Sequence, residues 1–185
     1  DFCDGLEDLA KRKIRIIGNP ATRYSEDPAR LLRAVRFAAK LGFHIDSKSL
    51  KPITKMADSL QHVSAPRMFD ETLKLFMSGY GLAVFQLLYE YRLFAQLAPQ
   101  TNRLIDQGHP TAKNMVEQAL TNTDLRIRSN KRVTPAFIYA ALLWPSVQKA
   151  AAEYERQGHP AASAMGKAAN EVIGNQIPIT SIPRR

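Results

Sequence analysis

An amphipathic helical pattern that begins near Pro28 and ends at Gly42 constrains this chain more than any other feature. Proline suits a first helical turn, where its missing N–H would have no partner, and glycine suits a helix exit. Ser25 or Glu26 is placed to cap the helix. Four cations follow one another along this helix, namely Arg30, Arg33, Arg36 and Lys40. At roughly 100° per residue they occupy about a third of the helix circumference. The apolar residues that we expect in the core lie opposite, and they are Leu31, Val35, Ala38 and Leu41.

Asp27 and Arg30 lie three residues apart, a spacing that sets a carboxylate acceptor beside guanidinium donors on a helix. Adenine and cytosine present an amino donor next to a ring-nitrogen acceptor, whereas guanine and uracil present the reverse order. An Asp27 and Arg30 pair therefore suits adenine or cytosine, because a mismatched base leaves hydrogen-bonding groups unpaired. The structural alternative is a salt bridge that only stabilises the first helical turn.

The charge balance points to an anionic partner. The chain has 26 lysines and arginines against 17 aspartates and glutamates, a formal net charge of +9, which is typical of proteins that bind nucleic acid. Arg33 and Arg36, in register with the pair above, can reach a triphosphate or a sugar, since arginine binds phosphate oxygens bidentately. A second basic segment surrounds a polar turn and is either an RNA backbone contact or a solvated loop; its cations are Arg126, Arg128, Lys131 and Arg132.

Several function classes are disfavoured. A single cysteine, Cys3, excludes an internal disulfide framework. The four histidines lack an i,i+4 partner or an acidic cluster, so we expect no metal site among them. No apolar run approaches the roughly 20 residues of a membrane span, and no charged-then-apolar leader opens the chain. We expect a cytoplasmic protein without a membrane partner.

The secondary structure is predicted to be mainly α. One strand-like run, residues 13–17, is rich in β-branched residues and is bounded by a Gly-Asn-Pro turn. After the helix that begins near Pro28, further helices are predicted over residues 46–59, 64–78, 82–97, 111–124, 135–144, 146–157 and 160–173. Pro145 separates the first two of the last three helices, Gly158 is the exit before a helix that starts at Pro160, and Pro178 marks a later break.

Three segments, residues 1–9, 14–20 and 23–38, closely resemble the class II nucleotidyltransferases, which include bacterial poly(A) polymerases and CCA-adding tRNA nucleotidyltransferases. In that family a Glu-Asp-x-x-Arg motif of the neck domain selects the incoming nucleotide, and two later arginines line the pocket. The matching positions are Glu26, Asp27, Arg30, Arg33 and Arg36. The motif that joins the catalytic head to the neck is matched by Asp1, Gly5, Asp8 and Leu9, and the last neck motif by Arg67, Glu71 and Lys74.

The resemblance implies a division into three parts. Residues 1–20 would be the end of the head and a linker, with a short β remnant, 21–97 the helical neck, and 98–185 part of an RNA-binding body. The family holds two magnesium ions on an Asp-x-Asp pair in the head, and this sequence has no Asp-x-Asp. We therefore expect no catalytic residue here, Mg²⁺ bound by a missing head, and an inactive 185-residue fragment.

The resemblance also implies an activity, which is template-independent transfer of AMP from ATP to the 3′ end of RNA, as in polyadenylation and mRNA processing. The residues of these motifs are most like those of the bacterial poly(A) polymerases. CCA addition to tRNA on the same scaffold is one alternative. A non-catalytic basic RNA-binding module, in which Asp27 and Arg30 are merely structural, is another, and nucleotide binding distinguishes it from the enzymes.

Overall fold

The computed structural model describes residues 3–183, so Asp1 of the head-to-neck motif lies outside the described residues. The described part is mainly α-helical, which confirms the predicted fold class. The helices are α1 (Gly5–Ala10), α2 (Pro20–Glu26), α3 (Ala29–Leu41), α4 (Ser47–Lys55), α5 (Ala65–Phe76), α6 (Gly81–Glu90), α7 (Phe94–Leu97), α8 (Pro99–Asp106), α9 (Ala112–Arg128), α10 (Pro135–Arg156) and α11 (Ala161–Thr180). A 3₁₀ helix, Ala57–His62, follows α4.

The β structure is a two-stranded parallel sheet. Strand β1 (Lys13–Ile14) pairs with β2 (His44–Ile45), so that Lys13 faces His44 and Ile14 faces Ile45. The predicted strand over 13–17 is thus shorter than expected. Strand β2 was not predicted, because two residues are too few to show an alternating pattern.

The pattern around Pro28 forms two helices joined at a corner. Helix α2 ends at Glu26 and α3 begins at Ala29, with Pro28 just before it. Neither Ser25 nor Glu26 caps α3, so that prediction was wrong; both lie in α2, and an Asp27 carboxylate oxygen accepts a hydrogen bond of 3.2 Å from the Ala29 N–H. The predicted exit is confirmed, because Gly42 adopts φ +64°.

Packing decides which predicted core residues are buried. Leu31, Val35 and Ala38 of α3 are buried, whereas Leu41 is 50% exposed and was wrongly assigned to the core. Helix α3 packs against α5 and α6, and α10 packs along α11. The core extends from Tyr24 to Val172.

Several predicted helix bounds were also wrong. Helix α10 continues through Pro145, which is buried, and α11 continues beyond residue 173 through Pro178. The predicted helix over 82–97 is instead divided into α6 and α7 around Arg92, which adopts φ +62°. Helices α1, α2 and α8 were not predicted.

Candidate functional site

A cleft of about 490 Å³ lies beside the start of α3. Four guanidinium groups line it, from Arg15, Arg23, Arg30 and Arg33, and we call it the arginine cleft. Its apolar lining includes Ile16, Ile17, Ala34 and Phe37. Aspartate and glutamate are absent from the lining among the described residues. The volume lies in the range of small-ligand sites, and the lining favours an anion that also carries an apolar part.

Buried contacts fix the base of the arginine cleft. Tyr24 is fully buried, and its hydroxyl donates a hydrogen bond of 3.1 Å to the Ser49 carbonyl. Burial raises the pKa of Tyr24 to about 12. The Ile16 N–H donates to the Ser49 hydroxyl at 3.1 Å. Ser49 of α4 therefore holds both α2 and the segment after β1.

Arg15 reaches the cleft from the segment after β1. Its Nε and Nη2 donate to the two carboxylate oxygens of Asp8 at 2.7 and 2.8 Å. Lys13 Nζ lies 3.1 Å from the same carboxylate. The hydrogen bond from Arg15 lowers the pKa of Asp8. Asp8 therefore stays ionised and fixes the Arg15 guanidinium as a planar bidentate pair.

Glu26 joins two of the cleft arginines. Arg30 Nη1 donates to Glu26 Oε2 at 2.9 Å and to the Arg23 carbonyl at 2.8 Å. Arg23 Nη1 donates to the same Glu26 oxygen at 2.6 Å. The hydrogen bond from Arg30 is the main cause that lowers the pKa of Glu26. Glu26 therefore anchors Arg30 from α2.

Asp27 has a different partner from the one predicted. Its Oδ2 accepts a hydrogen bond of 2.8 Å from Nη2 of Arg67, which lies 40 residues away on α5. Among the described residues, Asp27 and Arg30 form no ion pair with each other. The expected side-chain contact between them is therefore wrong. Their backbones are linked, because the Arg30 N–H donates to the Asp27 carbonyl at 3.0 Å.

The remaining arginines of the motif differ in environment. Arg33 is exposed and lines the arginine cleft. Arg36 lies outside the lining, and its guanidinium carbon is 5.2 Å from the centroid of the Phe37 ring. Arg33 therefore offers its donors to a ligand, whereas Arg36 packs on an aromatic ring.

Sequence reasoning missed three residues of the cleft lining, Arg15, Arg23 and Phe37. Phe37 could have been found, because it lies seven residues after Arg30 and so shares a helix face with it. Arg15 and Arg23 lie on other elements, and their approach to α3 depends on tertiary packing that no local pattern reveals.

The predicted basic segment 126–132 forms the end of α9 and the turn after it. All four of its cations are exposed, namely Arg126, Arg128, Lys131 and Arg132. Arg128 Nε donates to the Gly79 carbonyl at 3.1 Å, and its Nη2 lies 3.9 Å from Asp124. Arg126 Nη2 donates to the Arg132 carbonyl at 3.3 Å. Arg128 thus has a structural partner, whereas the Lys131 and Arg132 side chains project from the turn.

The last neck motif lies on α5. Glu71 is buried, and its Oε1 accepts a hydrogen bond of 2.8 Å from Lys74 Nζ. Its Oε2 is buried without a partner. Arg67, one turn earlier, points to Asp27 instead. The motif therefore contributes one ion pair within α5 and one contact to the corner before α3.

Metal ligands are not grouped in the described part of the chain. Over residues 3–183 there is no cluster of three or more His, Cys, Asp or Glu side chains that could hold a metal ion. The described side chains therefore do not fit a two-magnesium centre. Over the same residues, the helices are all too short or too polar to cross a bilayer.

Comparisons with known proteins agree with these features. A protein-family model described as "Probable RNA and SrmB- binding site of polymerase A" matches residues 42–105. This chain aligns over its whole length, in 187 aligned residues, with Poly(A) polymerase I of two bacteria. The identity is 42% with the enzyme of Escherichia coli O157:H7 and 38% with that of Haemophilus influenzae. The chain belongs to the class II nucleotidyltransferase family.

Two further matches cover part of the chain. A CCA-adding enzyme of Limosilactobacillus reuteri is 47% identical over 77 residues, which are 42% of this chain and 19% of that enzyme. A solved structure of a tRNA-processing enzyme in its apo form shares the fold, with a TM-score of 0.60 and 17% identity, over 92% of this chain and 48% of that one. The chain spans about 40% of the length of the curated poly(A) polymerases that it matches.

Proposed function

We propose that these residues select the nucleotide and bind the RNA in an enzyme that adds AMP from ATP to RNA 3′ ends. The arginine cleft is the observation that carries the proposal. Four guanidinium groups line the cleft, and Asp8 and Glu26, which hold three of them, lie outside the lining. Their remaining donors suit a polyphosphate, and the apolar lining suits a ribose or a base. Arg30 and Arg33 would bind the nucleotide from the lining, and Glu26, Asp27 and Arg36, which lie outside the lining, would complete the nucleotide-binding set.

Donor availability supports separate roles for these residues. Arg30 uses Nη1 for its two internal hydrogen bonds, which leaves Nη2 and Nε to donate to an adenine ring nitrogen. Asp27 would accept the adenine amino proton, because each of its oxygens accepts one internal bond and keeps further lone-pair capacity. Arg33, which has no ion pair among the described residues, would bind phosphate oxygens.

RNA is the proposed macromolecular partner. The net charge of +9 favours a polyanion, and Arg126, Arg128, Lys131 and Arg132 form a compact basic segment. The name of the family model that matches residues 42–105 mentions an RNA-binding site, which supports RNA as the partner but does not bear on the segment 126–132. The family typically uses Mg²⁺ with ATP or CTP. On this proposal the magnesium ligands are not among the side chains of residues 3–183. The complete enzyme would act in the cytoplasm.

CCA addition to tRNA is the second candidate function. An acceptor at Asp27 beside a donor at Arg30 suits cytosine as well as adenine, and CCA-adding enzymes match part of the chain at 47% identity. Identity of 42% over the whole chain to poly(A) polymerases favours the first candidate.

The test is competitive incorporation of ATP, CTP, GTP and UTP into one primer RNA by the complete protein. The wild type should prefer ATP. Arg30→Ala should lower that preference by about 10- to 150-fold, since a hydrogen bond to a charged group contributes roughly 1.5 to 3 kcal/mol. Arg103→Ala is the matched control, because Arg103 is an exposed arginine on α8.

The outcomes separate the candidates. Ordered addition of CTP and then ATP to a tRNA end would support CCA addition instead. If the protein neither incorporates nor binds a nucleotide, the remaining function is that of a non-catalytic RNA-binding module. An unchanged preference in Arg30→Ala would show that base selection lies elsewhere.

A further inference from the structure

We infer that Arg67 is a positioning residue that orients the Asp27 carboxylate for base selection, an assignment that rests on the proposed function. Arg67 lies in the first turns of α5, and Asp27 lies in the corner between α2 and α3. The hydrogen bond of 2.8 Å between them links two elements that are 40 residues apart in sequence.

Two donors from different elements fix the Asp27 carboxylate. Oδ2 accepts from Nη2 of Arg67, and Oδ1 accepts from the Ala29 N–H at 3.2 Å. The carboxylate plane is thereby held at both oxygens, and the side chain is only 19% exposed. An ionised carboxylate has about four acceptor positions, so these two bonds leave capacity for the amino group of a base.

The acceptor and the donor of the proposed base-reading pair are anchored separately. Arg30 is held by Glu26 and the Arg23 carbonyl, and Asp27 is held by Arg67. If Asp27 and Arg30 bound each other side by side, a base would have to compete with that salt bridge. Separate anchors leave the carboxylate and the remaining Arg30 donors available, and they fix both groups before a ligand arrives.

A purely stabilising role explains the contact between Arg67 and Asp27 less well than a positioning role does. Its side chain is 49% exposed, and exposed ion pairs contribute little to the stability of a fold. Loss of Arg67 should therefore leave the fold intact but release Asp27 to rotate toward solvent. The expected defect is lost selectivity among nucleotides rather than unfolding.

The experiment is a double-mutant cycle in the complete protein. Initial rates on one primer RNA give the ratio of kcat/KM for ATP to kcat/KM for GTP in the wild type, Arg67→Ala, Asp27→Ala and the double variant. Arg67→Ala should lower this ratio by about tenfold in the wild-type background and have no further effect in the Asp27→Ala background. Arg67→Lys, which keeps a charged donor, should recover part of the loss.

Arg103→Ala again serves as the control and should leave the ratio unchanged. Thermal unfolding should show that Arg67→Ala keeps the wild-type Tm within a few degrees. If the wild type selects ATP and Arg67→Ala retains that selection, or if its effect persists without Asp27, the inference is overturned while the proposed function stands. If the wild type itself uses all four nucleotides alike, the proposed function fails and the positioning role falls with it.

Discussion

Asp124 on α9 accepts a hydrogen bond of 2.7 Å from the backbone N–H of Gly81, the first residue of α6 and 43 positions earlier in the chain. Its other oxygen accepts from the Leu82 N–H at 3.0 Å. Asp124 is 2% exposed, and Tyr80, which precedes α6, gives the helix no side-chain cap. Asp124 therefore acts as the N-terminal cap of α6 from a distant helix.

Asp124→Ala should destabilise the protein by about 2 to 4 kcal/mol. The change removes two hydrogen bonds to a charged acceptor and leaves two poorly exposed N–H groups unpaired. Denaturation in urea measures the loss. Asp70→Ala is the control, because Asp70 is exposed on α5 and should change stability by less than about 0.5 kcal/mol. Equal effects of the two variants would contradict the capping role.

Arg128→Ala and Arg132→Ala should differ, although both remove one cation from the basic segment. Arg128 also donates to the Gly79 carbonyl at 3.1 Å, so its loss should cost about 1 kcal/mol of stability. Arg132→Ala should leave stability unchanged and reduce the dependence of log K on log salt by about 0.7 to 0.9, as expected for one RNA phosphate contact. RNA titrations at several salt concentrations and urea unfolding measure both effects. Identical behaviour of the two variants would show that the Gly79 contact has no energetic weight.

The sequence predicts α3 well and its surroundings poorly, for a physical reason. Helical periodicity and the glycine exit are local, so α3 and its buried face were found from Leu31, Val35 and Ala38 alone. The partner of Asp27 is not local. A spacing of three residues favoured Arg30, but the corner between α2 and α3 and the approach of α5 present Arg67 instead.

Helix α10 illustrates how tertiary packing overrides a local signal. Pro145 lacks an N–H and favours a break, yet the helix continues from Pro135 to Arg156. Neighbouring turns are held in place because Leu142 and Val147 are buried and the Leu142 carbonyl accepts a hydrogen bond of 2.7 Å from Thr101 on α8. The arginine cleft was likewise only half predictable, since Arg30 and Arg33 share α3 but Arg15 and Arg23 do not.

Glu26→Ala should lower the preference of the complete enzyme for ATP over GTP by roughly three- to tenfold, because it removes the anchor of Arg30. Glu26→Gln, which keeps an acceptor oxygen, should lose less. The pKa of Glu26 is lowered by the hydrogen bond from Arg30, so the wild-type carboxylate stays ionised above its ordinary pKa of about 4.3. Selectivity in competitive incorporation should therefore not change between pH 5 and pH 8 through this group. Glu90→Ala is the control, because Glu90 is an exposed glutamate at the end of α6. A loss in Glu26→Ala no larger than in Glu90→Ala would exclude the anchoring role.

Tyr24→Phe should change both the stability of the protein and its dependence on alkaline pH. Near pH 8 the variant should be less stable by about 0.5 to 1.5 kcal/mol, because the hydrogen bond to the Ser49 carbonyl is lost. Burial raises the pKa of Tyr24 to about 12 in the folded protein, against about 10 in the unfolded chain. The hydroxyl therefore loses its proton at a higher pH in the folded protein than in the unfolded chain. Its contribution to the stability of the fold is complete below about pH 10 and is lost as the pH rises toward 12. The difference in unfolding free energy between wild type and Tyr24→Phe, measured in urea from pH 8 to pH 11, should therefore shrink above pH 10. A difference that stays constant over this range would show that Tyr24 ionises in the folded protein as readily as an exposed tyrosine.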